Sequence, residues 1–153
     1  MTTISEFLTQ DHRDGDALFA AAAQAMARGD WAGCGAEFAA FVAALKRHMG
    51  IEEQVLFPAF EEATGMSAGP TRVMRHEHHD MLKLLDRIEL AVSARDAAGY
   101  RAAAESFSSI MTSHSAKEEN VLYPMCDQVL SELDGEKLAA MMRDAMPVPA
   151  TPA

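Results

Sequence analysis

His48-Met49-Gly50-Ile51-Glu52-Glu53-Gln54-Val55-Leu56-Phe57-Pro58 returns 66 residues later as His114-Ser115-Ala116-Lys117-Glu118-Glu119-Asn120-Val121-Leu122-Tyr123-Pro124. Both stretches read His-x-x-x-Glu-Glu-x-x-Leu-aromatic-Pro. The same offset carries Asp11-His12 onto Glu77-His78, Asp30-x-x-Gly33 onto Asp96-x-x-Gly99, and Phe41 onto Phe107. A correspondence that holds over whole segments at one spacing means two copies of one structural unit. Each copy supplies a His, a second His 36 residues later, and a Glu four residues beyond that. Together they give four His and two Glu, a ligand set for two metal ions.

At 153 residues the chain makes one domain, large enough for a real core and for four or five helices. The residues AVILMFWYC make up 49% of it, with 11 Met but only nine Gly and six Pro, and no strand pattern appears. Such a chain suits a helical bundle with short connections. The formal charge of −10 argues against nucleic acid or an anionic membrane as partner and leaves small uncharged molecules open. No apolar run has the length of a membrane span, and Met1-Thr2-Thr3-Ile4-Ser5-Glu6 lacks the basic start of a signal peptide, so a cytoplasmic location is expected. Cys34 and Cys126 have no neighbouring Cys and are read as packed thiols without a role. Either a monomer or a weak homodimer is compatible with this composition.

Thr3-Ile4-Ser5-Glu6 has the form of a capping box and starts a helix that Gly29 stops. Its inner stripe is Ile4, Leu8, His12, Phe19 and Met26. Asp30 caps a second helix whose apolar positions Phe38, Phe41, Leu45, His48, Glu52, Val55 and Ala59 step by three and four. Pro58 is expected to kink it near its end, and Gly65 to end it. Pro70 fits the first turn of a third helix, with Met74, His78, Met81, Leu85, Ile88 and Val92 inward. Asp96 caps a fourth, with Ala104, Phe107, Met111, His114, Glu118, Val121 and Met125 inward. A short fifth helix is expected over about 135–145, and the Pro-rich segment 147–153 reads as a disordered tail beyond a domain of residues 1–146. The fold expected is all-α: an antiparallel up-down-up-down four-helix bundle of two pseudo-symmetric helical hairpins, with the short fifth helix at its end.

On this reading His48 with Glu52, and His114 with Glu118, stand one turn apart on core-facing seams, with His12 and His78 facing them from the other two helices. A Glu on an apolar stripe loses its hydration at a cost of several kcal/mol unless it finds a partner, and a cation is one such partner. Ordinary core histidines bonded to Glu52 and Glu118 would leave that cost largely standing twice over, at one and the same offset. Glu53 and Glu119 fall one residue off the seam and are expected to be solvated, with Glu119 a candidate to replace its neighbour as ligand. Asp16, four residues after His12, is a further candidate ligand or proton donor, and His76 and His79 flank His78 at other helical angles.

The doubled motif resembles the hemerythrin-like, or HHE cation-binding, domains over roughly the first 130 residues. The resemblance implies a non-haem di-iron centre, two iron ions (Fe2+/Fe3+) with an oxo or hydroxo bridge. Glu52 and Glu118 would bridge the irons, with His12 and His48 on one and His78 and His114 on the other. Oxygen-carrying hemerythrins have a His-x-x-x-His pair on the third helix, whereas the positions four before and after His78 here are Met74 and Leu82. Each iron would then keep one open position, which suits redox chemistry on a diatomic molecule or peroxide better than oxygen carriage. The function implied is binding of, or action on, peroxide, nitric oxide or oxygen, possible peroxide or nitric oxide scavenging included. The alternatives are a non-catalytic oxygen- or iron-binding, storage or sensing module, and repair of iron-sulfur clusters. A related family of repair proteins joins this domain to a Cys-bearing N-terminal segment not found here, which is expected to weigh against repair.

Overall fold

Thr3 accepts a hydrogen bond from the Glu6 amide at 3.1 Å and Glu6 accepts one from the Thr3 amide at 3.2 Å, so the expected capping box opens helix α1, Ile4–Ala27. The structure is a computed structural model and describes residues 3–130, 140 and 142–148. Gly29, at φ 76°, adopts the left-handed conformation that turns the chain out of α1. The Asp30 carboxylate then accepts from the Gly33 amide at 2.9 Å and starts α2, Trp31–Ile51. Asp96 repeats this on Gly99, also at 2.9 Å, to start α5, Ala97–Lys117, after α4, Pro70–Ala94, has begun with Pro70 in its first turn.

Each motif helix changes its winding where the motif's paired glutamates begin. A single π turn, Glu52–Leu56, follows α2 and leads into α3, Phe57–Thr64. A second, Glu118–Leu122, follows α5 and leads into α6, Tyr123–Val129. The Phe57 amide reaches back five residues to the Glu52 carbonyl, as Tyr123 does to Glu118. The next residue in each copy is a proline with no N–H to give, so the carbonyl of Glu53 has no donor one position on. Arg75 Nη1 supplies one at 3.4 Å. The kink expected at Pro58 thus takes the form of one wide turn ahead of it. π turns of this kind occur often at functional sites.

One expected core position differs. Val121 is 53% exposed, while Leu122 and Tyr123 beside it are buried. Its counterpart Val55 stays buried in the apolar cluster that includes Met142 of the C-terminal segment.

α1 packs along α2 and α4 along α5, giving two antiparallel hairpins, with α2 against α4 and α1 against α5 and α6 closing the bundle. Among the described residues the core has two apolar clusters. One gathers Phe41, Leu45, Met81, Leu85, Ile88, Phe107 and Met111, the other Leu8, Ile51, Phe57, Phe60, Met74, Leu122 and Tyr123. Along each main helix, the inward His or Glu falls between a residue of one cluster and a residue of the other. A polar layer therefore lies between two apolar ones. Most of the expected fifth helix lies outside the described residues, but Met142–Asp144 are helical. Val148, expected in an unpacked tail, is packed instead, while Pro147 beside it is exposed. Val148 is buried and its amide donates to the Lys46 carbonyl at 3.0 Å, while Met146 and Gln54 exchange two hydrogen bonds. The remainder of the tail, 149–153, lies outside the described residues.

Candidate metal centre

His12 comes from α1, His48 from the end of α2, His78 from α4 and His114 from the end of α5, while Glu52 and Glu118 each open a π turn. All six are buried, the two glutamates completely. His12 and His48 form one pair, ring centres 4.8 Å apart, and His78 and His114 the other at 4.9 Å. Glu52 Oε1 lies 3.3 Å from His48 Nε2 and 3.1 Å from His78 Nε2. Glu118 Oε1 lies 3.1 Å from His12 Nε2 and 3.2 Å from His114 Nε2. Each carboxylate therefore stands between the two His pairs and reaches one ring of each. Donor atoms of Glu52, His78, His114 and Glu118 converge within 4.8 Å of one another, and so do those of His12, His48 and Glu118.

Every one of the four rings is held from behind by a carboxylate. Nδ1 of His48 donates to Asp11 at 3.0 Å, that of His114 to Glu77 at 2.8 Å, that of His78 to Glu53 at 2.7 Å and that of His12 to Glu119 at 2.8 Å. A proton held on Nδ1 turns the Nε2 lone pair of each ring toward the centre, and such an acid partner both aims the ring and raises its basicity as a ligand. Glu53 and Glu119 are therefore not the solvated residues expected one position off the seam. The wide turn swings each against a histidine of the opposite hairpin, and Glu119 is occupied with His12 Nδ1 rather than standing in for Glu118. The sequence signal for this arrangement is an acid next to four of the six inward residues: Asp11-His12, Glu52-Glu53, Glu77-His78 and Glu118-Glu119.

The other candidates stay outside. Asp16 is exposed, its carboxyl raised by partial burial and the nearby Glu119 against the pull of His12, and its atoms do not join the converging groups. His76 is largely exposed and pairs with Asp80 at 3.6 Å, and His79 is exposed on the same helix. One residue inside the layer was missed. Tyr123 Oη donates to Glu52 Oε2 at 2.8 Å and lies 3.2 Å from His12 Nε2 and 3.4 Å from His48 Nε2. Its counterpart in the first copy, Phe57, stacks on His78 at 5.9 Å and brings no hydroxyl. In the sequence this slot shows only as the aromatic before the motif proline, where Phe and Tyr read alike.

The electrostatics of this layer are those of imidazoles and carboxylates buried against one another. Burial depresses His48, but the charge of Glu52, the Asp11 hydrogen bond and the charge of Glu118 outweigh it and raise the ring well above its ordinary range. His78 is pushed up to about 9 in the same way, by Glu52 and Glu53 against burial. Burial pushes Glu52 up, and the His48 charge together with the close approach of Glu118, His48 and His78 overcomes it and holds the carboxyl well down. Burial and the two glutamates raise the Tyr123 phenol well above its usual value. Protons on imidazole supply the positive charge that the carboxylates need, yet Glu52 Oε1, His78 Nε2 and Glu118 Oε2 still have no hydrogen-bond partner. His78 Nε2 and Glu52 Oε1 are 3.1 Å apart without the alignment of a hydrogen bond. Buried donor atoms that converge but do not satisfy one another fit cations between them. Imidazole nitrogen mixed with carboxylate oxygen suits iron, manganese or zinc.

Comparison with known proteins agrees with this chemistry. The "Iron-sulfur cluster repair protein YtfE" of Edwardsiella ictaluri (strain 93-146) is 49% identical over 45 residues, which are 29% of this chain and 20% of that protein. The chain thus matches about a fifth of that relative's length. No solved structure matches the chain. The family described as "Hemerythrin HHE cation binding domain" matches residues 3–126, which takes in all six inward residues and all four carboxylates behind them. The chain belongs to the hemerythrin HHE cation-binding domain family.

Proposed function

We propose that this chain is a non-haem di-iron protein that binds and turns over small reactive molecules of the oxygen, peroxide or nitric oxide class. One observation carries the reading: two fully buried carboxylates each lie between one ring of each His pair, as residues shared by two cations would. His12 and His48 would hold one iron, His78 and His114 the other, with Glu52 and Glu118 common to both. Two irons held there, with an oxo or hydroxo bridge, supply one-electron redox steps and Lewis acidity to a small ligand.

The chain's own part is to aim and to protect. The carboxylates of Asp11, Glu53, Glu77 and Glu119 keep the Nδ1 protons in place and so fix which nitrogen faces inward. The apolar clusters on both sides exclude bulk water from the layer. Tyr123 keeps its proton at Oη, 2.8 Å from Glu52, and provides a hydroxyl donor within the layer. The fifth His of the oxygen carriers is replaced by apolar Leu82, which favours turnover over reversible carriage. The two buried free thiols suit the reducing cytoplasm, which we take as its compartment.

Repair of iron-sulfur clusters is the second reading, favoured by the name of the matching relative. Metal analysis combined with mixing of anaerobically reduced, iron-loaded protein with oxygen, peroxide or nitric oxide tests the first. About two irons per chain, with rapid oxidation by one of these reagents, is the expected result. Iron well below one per chain under loading conditions that saturate, or oxygen uptake that reverses over many cycles, would overturn it.

A further inference from the structure

The internal repeat makes the two halves of the buried layer alike, and one hydroxyl separates them. Tyr123 stands where the first copy has Phe57. Its Oη lies among three inward atoms of one half, 2.8 Å from Glu52 Oε2, 3.2 Å from His12 Nε2 and 3.4 Å from His48 Nε2. By the repeat, a hydroxyl on residue 57 would fall beside Glu118, but Phe57 offers only a ring stacked on His78. The hydrogen bonding differs accordingly. Glu52 Oε2 is satisfied by Tyr123, whereas its counterpart Glu118 Oε2 has no partner, and neither have Glu52 Oε1 and His78 Nε2. All three of these buried atoms belong to one group of four converging residues, Glu52, His78, His114 and Glu118.

A cation therefore meets two different starting points. At the His78–His114 half it finds donor atoms already stripped of water and bonded to nothing, so its binding satisfies them without breaking a hydrogen bond. At the His12–His48 half it must first displace the Tyr123 hydroxyl from Glu52 and from both rings. A hydrogen bond to a buried carboxylate corresponds to a factor of roughly ten or more in affinity. The clearest opposing effect is Lys117, which bonds to Glu77 behind His114 where the first copy has Ile51. Its side chain is 46% exposed, so solvent screens the charge and limits its effect to about fivefold or less. The buried difference prevails.

We propose that the two metal positions fill in order, His78–His114 first and His12–His48 second, and that Tyr123 sets the order. It is a positioning residue that acts through Glu52: the hydroxyl holds Oε2 in the His12–His48 half while Oε1 remains available 3.1 Å from His78 Nε2. The inference rests on the two-metal reading above and deepens it. A chain short of metal then carries a defined one-cation form, with its second half still closed by a hydroxyl, rather than a mixture of two one-cation forms.

The test exchanges the two aromatic residues and uses zinc ion, a diamagnetic divalent cation suited to imidazole and carboxylate, as the probe. Zinc added to metal-free protein should move the imidazole NMR signals of His78 and His114 during the first equivalent and those of His12 and His48 during the second. Calorimetry should give two dissociation constants about tenfold or more apart. Tyr123→Phe should tighten the second step and bring the two constants together, whereas a merely structural role for Tyr123 would weaken both steps alike. Phe57→Tyr, which gives Glu118 Oε2 a donor, should weaken the first step, and it decides the matter alone should Tyr123→Phe fail to fold. Both substitutions together should reverse the order. First shifts at His12 and His48, or at all four rings at once, overturn the order, and an unchanged gap in Tyr123→Phe overturns the part given to Tyr123. Saturation at one zinc per chain overturns the two-metal reading instead.

Discussion

Removing the acid behind a single histidine measures whether these rings are aimed at a cation. Glu53 is the best choice: its carboxylate is 28% exposed and meets a His78 ring that is nearly fully buried, at 2.7 Å. A hydrogen bond to a charged group contributes about 1.5–3 kcal/mol. Loss of a carboxylate that orients a ligating histidine weakens metal binding by roughly 10- to 100-fold, or about 1.4–2.8 kcal/mol. The two ranges agree, so Glu53→Ala should weaken iron binding by that factor, read by competition with a chelator of known affinity. Glu53→Gln keeps an acceptor for the Nδ1 proton and should lose less. Glu119→Ala should fall at the weaker end, since its carboxylate is 36% exposed and better screened. Glu118→Ala differs in kind, because it removes a group common to both His pairs and should lower iron occupancy at both positions. Unchanged affinity in Glu53→Ala, or a greater loss with Gln than with Ala, would refute the reasoning.

In the metal-free protein His78 is raised from 6.5 to about 9, so the stability it contributes is full below pH 6.5 and fades as pH climbs to about 9. Denaturation midpoints of metal-free protein should fall across that window, and apparent iron affinity should rise there as protons cease to compete; a flat affinity profile would contradict this. Glu52, lowered, acts in the opposite sense, and its contribution should disappear as pH falls below the ordinary carboxylate range. Tyr123→Phe, which gives the second copy the residue of the first, removes the 2.8 Å bond to Glu52 and should destabilise metal-free protein by about 1.5–3 kcal/mol in urea titration. Gly50→Ala would drive a Cβ into the Met146 carbonyl and should release residues 146–148 from α2, seen as lost hydrogen-exchange protection of the Val148 amide. Global stability should change little there, because Ala gains about 1 kcal/mol over Gly in a helix as the strap's contacts are lost.

The bundle and the six inward residues were legible because each rests on a spacing. Helical stripes, glycine stops and aspartate caps repeat at one offset, and a carboxylate on an apolar stripe needs a physical reason to be there. What escaped depends on winding and on neighbours. Counting by three and four assumes 3.6 residues per turn, and a π turn in each copy brings Glu53 and Glu119 against histidines on the opposite hairpin, while Val121 stands exposed where its counterpart Val55 is covered. Burial of Val148 turns on a contact with α2 that no local pattern in a Pro-rich tail announces.

The direction of those histidine contacts explains why the chain needs both copies. Asp11 holds His48 and Glu77 holds His114, each within one hairpin. Glu53 instead holds His78, and Glu119 holds His12, each across to the other. The inner carboxylates cross as well, Glu52 to His78 and Glu118 to His12. A hairpin folded alone would keep one aimed histidine with its Glu one turn on, and leave its second ring and its spare acid without partners. Cations bound in this layer would join the two hairpins through every one of those crossings, so metal should stabilise the docking of the hairpins more than either hairpin by itself.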